Sequence, residues 1–136
     1  MKASYTFDIP HKLALVSNRQ PGNRHQLAAQ RRDLHTIAST ARVQPFPTPA
    51  HALWTVQYAK GTTWKADPDN LQPTAKACFD QLTRAGLVED DAPRYVPTVT
   101  YARGENLAAT GMYRLTLTLT ACTGPGCTRC PEGDPQ

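Results

Sequence analysis

One stretch near the C-terminal end of this 136-residue chain restricts the fold more than any other. Between residues 112 and 121 apolar and polar side chains alternate strictly. Tyr113, Leu115, Leu117 and Leu119 fall on one side, Arg114, Thr116, Thr118 and Thr120 on the other. A period of two is the period of a β-strand, and β-branched threonine suits that backbone. Such a strand has one face covered by a core and the other turned to water. The chain must therefore build a sheet, and other segments must cover its leucine face.

Two segments have the 3.6-residue period needed for that cover. Leu27, Leu34, Ile37, Ala38 and Ala41 form an apolar stripe that predicts a helix over 24–41. Ala75, Cys78, Phe79 and Leu82, at i, i+3, i+4 and i+7, predict a second helix over 74–85. Pro73 suits its first turn and Gly86 its C′ position. Alternation in Tyr5, Phe7 and Ile9 predicts a strand over 4–9 that Pro10 ends, and Ala52, Trp54, Val56 and Tyr58 predict one over 52–58. A further strand is expected over 96–103, and Pro45, Pro47 and Pro49 make a stiff connector before the second strand. The order β-α-β-α-β-β implies an α+β fold: a single domain over 1–121, with a mixed β-sheet of about four strands and two helices packed on one face. Residues 122–136 read as a disordered Gly/Pro/Cys tail.

Composition closes off other classes. Hydrophobic residues are 40% and charged residues 19% of the chain, ordinary values for a globular domain. No apolar run reaches the ~18–20 residues of a membrane span, and the first ten residues lack the apolar core of a secretory signal. A cytoplasmic protein without membrane partners is expected.

The cysteines divide into two kinds. Cys78 lies on the apolar face of the second predicted helix, where a buried thiol is expected. Cys122, Cys127 and Cys130 form C-x4-C-x2-C in the tail. They supply three of the four ligands of a structural zinc site, and no histidine is close in the sequence. A frayed tail is the expectation here.

The net charge of +4 conceals an asymmetry. Residues 67–91 hold six acids (Asp67, Asp69, Asp80, Glu89, Asp90, Asp91) and only Lys76 and Arg84 as bases, while the rest of the chain carries +8. Such a segment is either a solvated helix with acidic flanks or a carboxylate cluster on a polyanion-binding surface. Asp67 and Asp69 bracket one residue, and in an extended segment residues i and i+2 point to the same side. The second helix then returns the chain at Asp90 and Asp91. Three carboxylates with waters suit Mg²⁺, and Lys76 adds a positive charge beside them. These are the parts of metal-assisted phosphodiester hydrolysis. The plain alternative is a helix cap at Asp69 and Asn70 and a turn at Asp90 and Asp91. On the first helix, Arg24, Arg31, His35 and Arg42 project from one side. They are either a solvated face or a row of cations for phosphates.

Asp67-x-Asp69-Asn70-Leu71, Lys76-Ala77-x-Phe79-Asp80-x-Leu82, Ala85-Gly86 and Asp90-Asp91 together resemble the signature of the RusA-type Holliday junction resolvases. These are small endodeoxyribonucleases of bacteria and their prophages. The resemblance is strongest over 67–91 and extends loosely over 4–121. It implies a homodimer that binds four-way junction DNA and makes paired symmetric nicks with Mg²⁺, for which Mn²⁺ substitutes, during recombination and repair. No small-molecule cofactor is implied. Asp67, Asp69 and Asp91 match the metal-binding carboxylates, with Asp90 as their neighbour, and Lys76 matches the active-site lysine. Relative to the shorter form of the motif, Pro73, Thr74 and Ala75 are extra, close to one helical turn before Lys76. Arg19, Arg24, Arg31, Arg32, Arg42, Lys65 and Arg103 are the expected phosphate contacts. Two alternatives stay open: a non-catalytic nucleic-acid-binding module of the same fold, and a nuclease for forks, flaps or RNA.

Overall fold

The structure, a computed structural model, describes residues 1–16, 24–59, 68–105, 108–124 and 127. Four strands form one mixed sheet: β1 (Lys2–Pro10), β2 (Ala50–Gln57), β3 (Thr98–Arg103) and β4 (Met112–Ala121). Their order is β1-β4-β2-β3. The alternating segment β4 sits inside, antiparallel to both β1 and β2, and β3 pairs parallel with β2. Two helices, α1 (Arg24–Ala38) and α2 (Gln72–Arg84), complete the α+β fold.

The register explains why the alternation is strict. Tyr5 and Trp54 flank Leu117, Phe7 and Val56 flank Leu115, and Ala52 pairs with Leu119. These side chains share one core cluster with Leu34 and Ala38 of α1 and Ala75, Cys78, Phe79 and Leu82 of α2. Both helices thus cover the same sheet face, as the pattern predicts. The other face carries hydroxyls. Ser4 and Thr118 meet at 3.3 Å, Thr6 and Thr116 at 3.0 Å, and Arg114 donates to Asp8 at 2.8 Å from the opposed position.

Three sequence expectations need adjustment. α1 ends at Ala38 rather than 41, so Arg42 is beyond it. The hydroxyls of Ser39 and Thr40 donate to the carbonyls of Thr36 and Ile37 at 2.6 and 2.7 Å, which competes with further helical bonding. β3 begins at Thr98 rather than 96, because the amides of Tyr95 and Val96 both turn back to the Ala92 carbonyl. Asp69 is not in an extended segment. Pro68–Leu71 form a 3₁₀ turn, in keeping with a proline followed by Asp and Asn, whose side chains favour turns.

α2 ends as its glycine predicts. The Leu87 amide donates to the Leu82 carbonyl and the Gly86 amide to that of Thr83, both at 3.0 Å, with Gly86 at φ +100°. This is a Schellman ending, which needs the left-handed conformation at C′. It turns the chain so that Leu87 and Val88 re-enter the core and the acidic Glu89-Asp90-Asp91 emerges beside α2. Thr74, an interior residue of α2, is fully buried. Its hydroxyl accepts from the Leu15 amide and donates to the Leu15 carbonyl, both at 2.7 Å, tying the segment after β1 to α2.

Candidate active site

The acidic segment converges on Lys76. Its ammonium donates to Asp91 Oδ2 at 2.9 Å and stands 3.6 Å from Asp80 Oδ1, one helical turn along α2. The Asp91 amide in turn donates to Asp90 Oδ1 at 2.8 Å, so Asp90 fixes the backbone that presents Asp91. The hydrogen bond to Asp91 holds the Lys76 pKa above its ordinary value, and the same bond holds the Asp91 carboxyl below its own. Both groups are therefore charged across the neutral range. The side chains are 61% and 40% exposed, and such pairs contribute at most about 1 kcal/mol to stability. Their consequence is geometric: an ammonium and a carboxylate in contact at the surface. Lys76 thus faces the acidic pair Asp90-Asp91.

A cleft of about 280 Å³ opens beside this pair, with Trp54 of β2, Tyr101 of β3 and Gln72 and Phe79 of α2 in its wall. The parallel register sets Tyr101 opposite Trp54, on the helix-covered face. Burial raises the Tyr101 pKa, Lys76 opposes that shift and Asp69 adds to it, so the phenol lies within the field of both charges. Asp69 itself is exposed in the 3₁₀ turn. The residue at the N-cap of α2 is Leu71, which makes no side-chain cap. Asp69 instead sits in the first turn of the 3₁₀ segment that leads into α2, and Asp90 serves its own turn.

On the other side of Lys76, α1 and α2 border a larger groove of about 620 Å³. Arg31 and His35 of α1 line it, with Lys76, Asp80 and Arg84 of α2. Arg84 Nη1 is 3.5 Å from His35 Nδ1. Burial and the Arg84 charge hold the His35 pKa below 6.5. Arg31 thus lines the same groove as Asp80, a placement the spacing along α1 does not disclose. Arg24, Arg32 and Arg42 are exposed, and Arg103 is exposed with its guanidinium 4.5 Å from the Tyr58 ring centre. Asp67, Arg19 and Lys65 lie outside the described residues.

Asp69, Asp90 and Asp91 are hard oxygen donors, and Mg²⁺ is commonly held by one or two carboxylates with several waters. Of these oxygens, Asp91 Oδ2 is bound by Lys76 and Asp90 Oδ1 by an amide. Among the described residues, the group of three potential ligands within 4.8 Å of one another is not carboxylate: it is His51, Cys122 and Cys127. The donor chemistry of these carboxylates suits Mg²⁺. Among the described residues no three of them meet at one point, and Asp67, the third member of the expected set, lies outside those residues.

Tyr101 and His51 escaped the sequence reading. Neither lies in a motif, and each acquires its position from a strand register. No helix among the described residues is long and apolar enough to cross a membrane. Comparison of the chain with protein-family models and with curated proteins returns no match.

Proposed function

We propose that this protein is a Mg²⁺-dependent, structure-specific endodeoxyribonuclease of the RusA type, acting on four-way DNA junctions as a homodimer. One observation carries the reading: Lys76, with its ammonium held by Asp91 and beside Asp80, at a cleft whose Tyr101 also feels Asp69. A charged lysine next to exposed carboxylates is equipment for a phosphodiester, whose transition state accumulates negative charge.

When bound, Mg²⁺ would neutralise charge on the phosphoryl oxygens and make a water more acidic. Asp69 and Asp91 would hold it, together with Asp67 as the resemblance implies. Lys76 faces the scissile phosphate and stabilises the charge that develops on it during in-line attack. Asp91 aims the ammonium, and Asp90 keeps Asp91 in place through its amide. Arg31, in the adjoining groove, binds a neighbouring phosphate. Arg24, Arg32, Arg42 and Arg103 contact phosphates further out and position the DNA without reading its sequence. A C2 dimer would set one such site against each of two opposed strands. The resemblance implies products with a 5′-phosphate and a 3′-hydroxyl.

The test is a cleavage panel with Mg²⁺ over a four-way junction, a fork, a flap, a linear duplex and an RNA hairpin. Paired symmetric nicks in the junction are expected. Preferential cutting of the fork, flap or RNA would replace the substrate, and junction binding without cutting of any substrate would replace the enzyme with a binding module.

A further inference from the structure

The second cluster lies on the sheet face opposite the helices. His51 of β2 projects to the hydroxyl-bearing side, where its register partners are Thr98 of β3 and Thr120 of β4. Most side chains on that face are partly exposed, yet His51 is only 3% exposed. The turn after β4 lies over it. The Cys122 amide donates to the Pro49 carbonyl and the Cys127 amide to the Gly124 carbonyl, both at 2.9 Å, with Gly124 at φ +86°. This turn brings two thiols to the histidine, and neither is in a disulfide.

We propose that His51, Cys122 and Cys127 bind a structural zinc ion. Their three ligand atoms lie within 4.8 Å of one another. A tetrahedral zinc with Zn–S of about 2.3 Å and Zn–N of about 2.0–2.1 Å needs sulfur and nitrogen about 3.6 Å apart. Cys127 Sγ and His51 Nε2 are 3.4 Å apart. The other ring nitrogen is engaged as zinc-bound histidines require: Nδ1 lies 2.6 Å from the Thr98 hydroxyl. With Nδ1–H donating to that oxygen, Nε2 presents its lone pair to the two sulfurs. Two soft thiolates and an imidazole select zinc over Mg²⁺. Binding releases the thiol protons to solvent, so the site forms more tightly as pH rises. Three protein ligands leave the fourth tetrahedral position to a water or a further donor.

The site ties the chain after β4 to the adjoining starts of β2 and β3, across the sheet from Lys76, and it does not rest on the nuclease reading. Its test is metal content. The full-length protein, reduced and equilibrated with zinc and then dialysed against metal-free buffer, should retain about one zinc per chain by elemental mass spectrometry. His51→Ala and Cys127→Ser should each lose most of it, and Cys78→Ser should keep it. Because a ligand variant could also unfold, the unaltered protein loaded with Co²⁺ supplies a second readout: intense thiolate-to-cobalt absorption with tetrahedral ligand-field bands. Retained zinc and a thiolate–cobalt spectrum support the site. Protein that keeps no zinc, ligand variants that hold as much as the parent, or a cobalt complex without thiolate absorption would overturn it.

Discussion

The two faces of the sheet are made by the same four strands and differ in nearly everything else. The helix-covered face holds Trp54, Val56, Leu115, Leu117 and Leu119, each 1% exposed or less. The opposite face holds threonines, the Asp8–Arg114 pair and one buried histidine. Each face carries a polar cluster at its margin, and the two were built differently. Lys76, Asp80, Asp90 and Asp91 come from 16 consecutive residues, brought together by one helix and its Schellman ending. His51 and Cys127 are 76 residues apart and meet only because β2 and β4 pair. A cluster that is local in the chain leaves a motif. One assembled across a sheet leaves scattered residues whose link is the register.

Experiments can break this contrast, and the largest effect belongs to the local cluster. Asp69→Asn and Asp91→Asn should each abolish Mg²⁺-dependent nicking while junction binding survives, and so should Asp67→Asn if the resemblance holds. Mn²⁺ should support the reaction and Ca²⁺ should not. Asp80→Asn should be milder, since a helix-surface pair of this kind is worth only about 0.2–0.5 kcal/mol. A gel assay of nicked junction settles the ranking, and normal nicking by Asp69→Asn protein would sink the metal assignment.

The next largest effect compares the faces directly. Trp54→Ala should cost about 3–5 kcal/mol of stability by emptying the core. Thr116→Ala, on the hydroxyl face opposite, should stay within about 0.5 kcal/mol, as surface substitutions do. Urea midpoints measure both, and similar losses would mean that the hydroxyl face is also covered.

Thr74→Val comes third. It keeps the side-chain shape but leaves the Leu15 amide and carbonyl without their buried partner, a loss of about 1–3 kcal/mol. The groove between α1 and α2 should loosen as well, which amide exchange around residue 15 would register.

Changing Arg31 and Arg42 together to Ala should weaken junction binding at least about tenfold, or 1.4 kcal/mol. Each lost phosphate contact should flatten the slope of log affinity against log salt by about 0.9. The groove geometry sharpens this: Arg31, which lines one groove with Lys76 and Asp80, should also slow nicking at saturating protein, whereas Arg42 should not. An unchanged salt slope would return both to a solvated surface.

The smallest effect is a pH dependence from His35. Its native pKa lies below 6.5, chiefly through burial and then through Arg84. Between that lowered value and 6.5 the unfolded chain binds a proton that the native chain does not. Stability contributed by the neutral ring is therefore complete above about pH 6.5 and falls as the pH drops below it. His35→Gln should flatten that part of the profile in urea titrations taken between about pH 5 and 7.

Much of the fold was legible because periodicity is a local property. The two-residue alternation of β4 demanded a sheet with one covered face, and the stripes of the two helices supplied the cover. Gly86 and Pro73 marked the ends of α2, and Cys78 is buried as expected, its thiol pushed up to about 12 by desolvation. Where the reading slipped, a side chain or a turn outweighed the pattern. The hydroxyls of Ser39 and Thr40 stopped α1 before Ala41, and Pro68 wound Asp69 into a 3₁₀ turn instead of an extended pair.

By itself, then, the sequence determined the element order, the covered face of each strand and an acidic segment with a lysine in its midst. These follow from residue spacing along short stretches. Only the tertiary structure decided that Lys76 bonds Asp91, that Tyr101 stands at the same cleft, that Arg31 lines one groove with Asp80, and that His51 meets two cysteines from beyond β4. Those juxtapositions depend on strand order and register and on how a helix returns its chain. The free energy that sets them is the burial of the whole core, which no single motif contains.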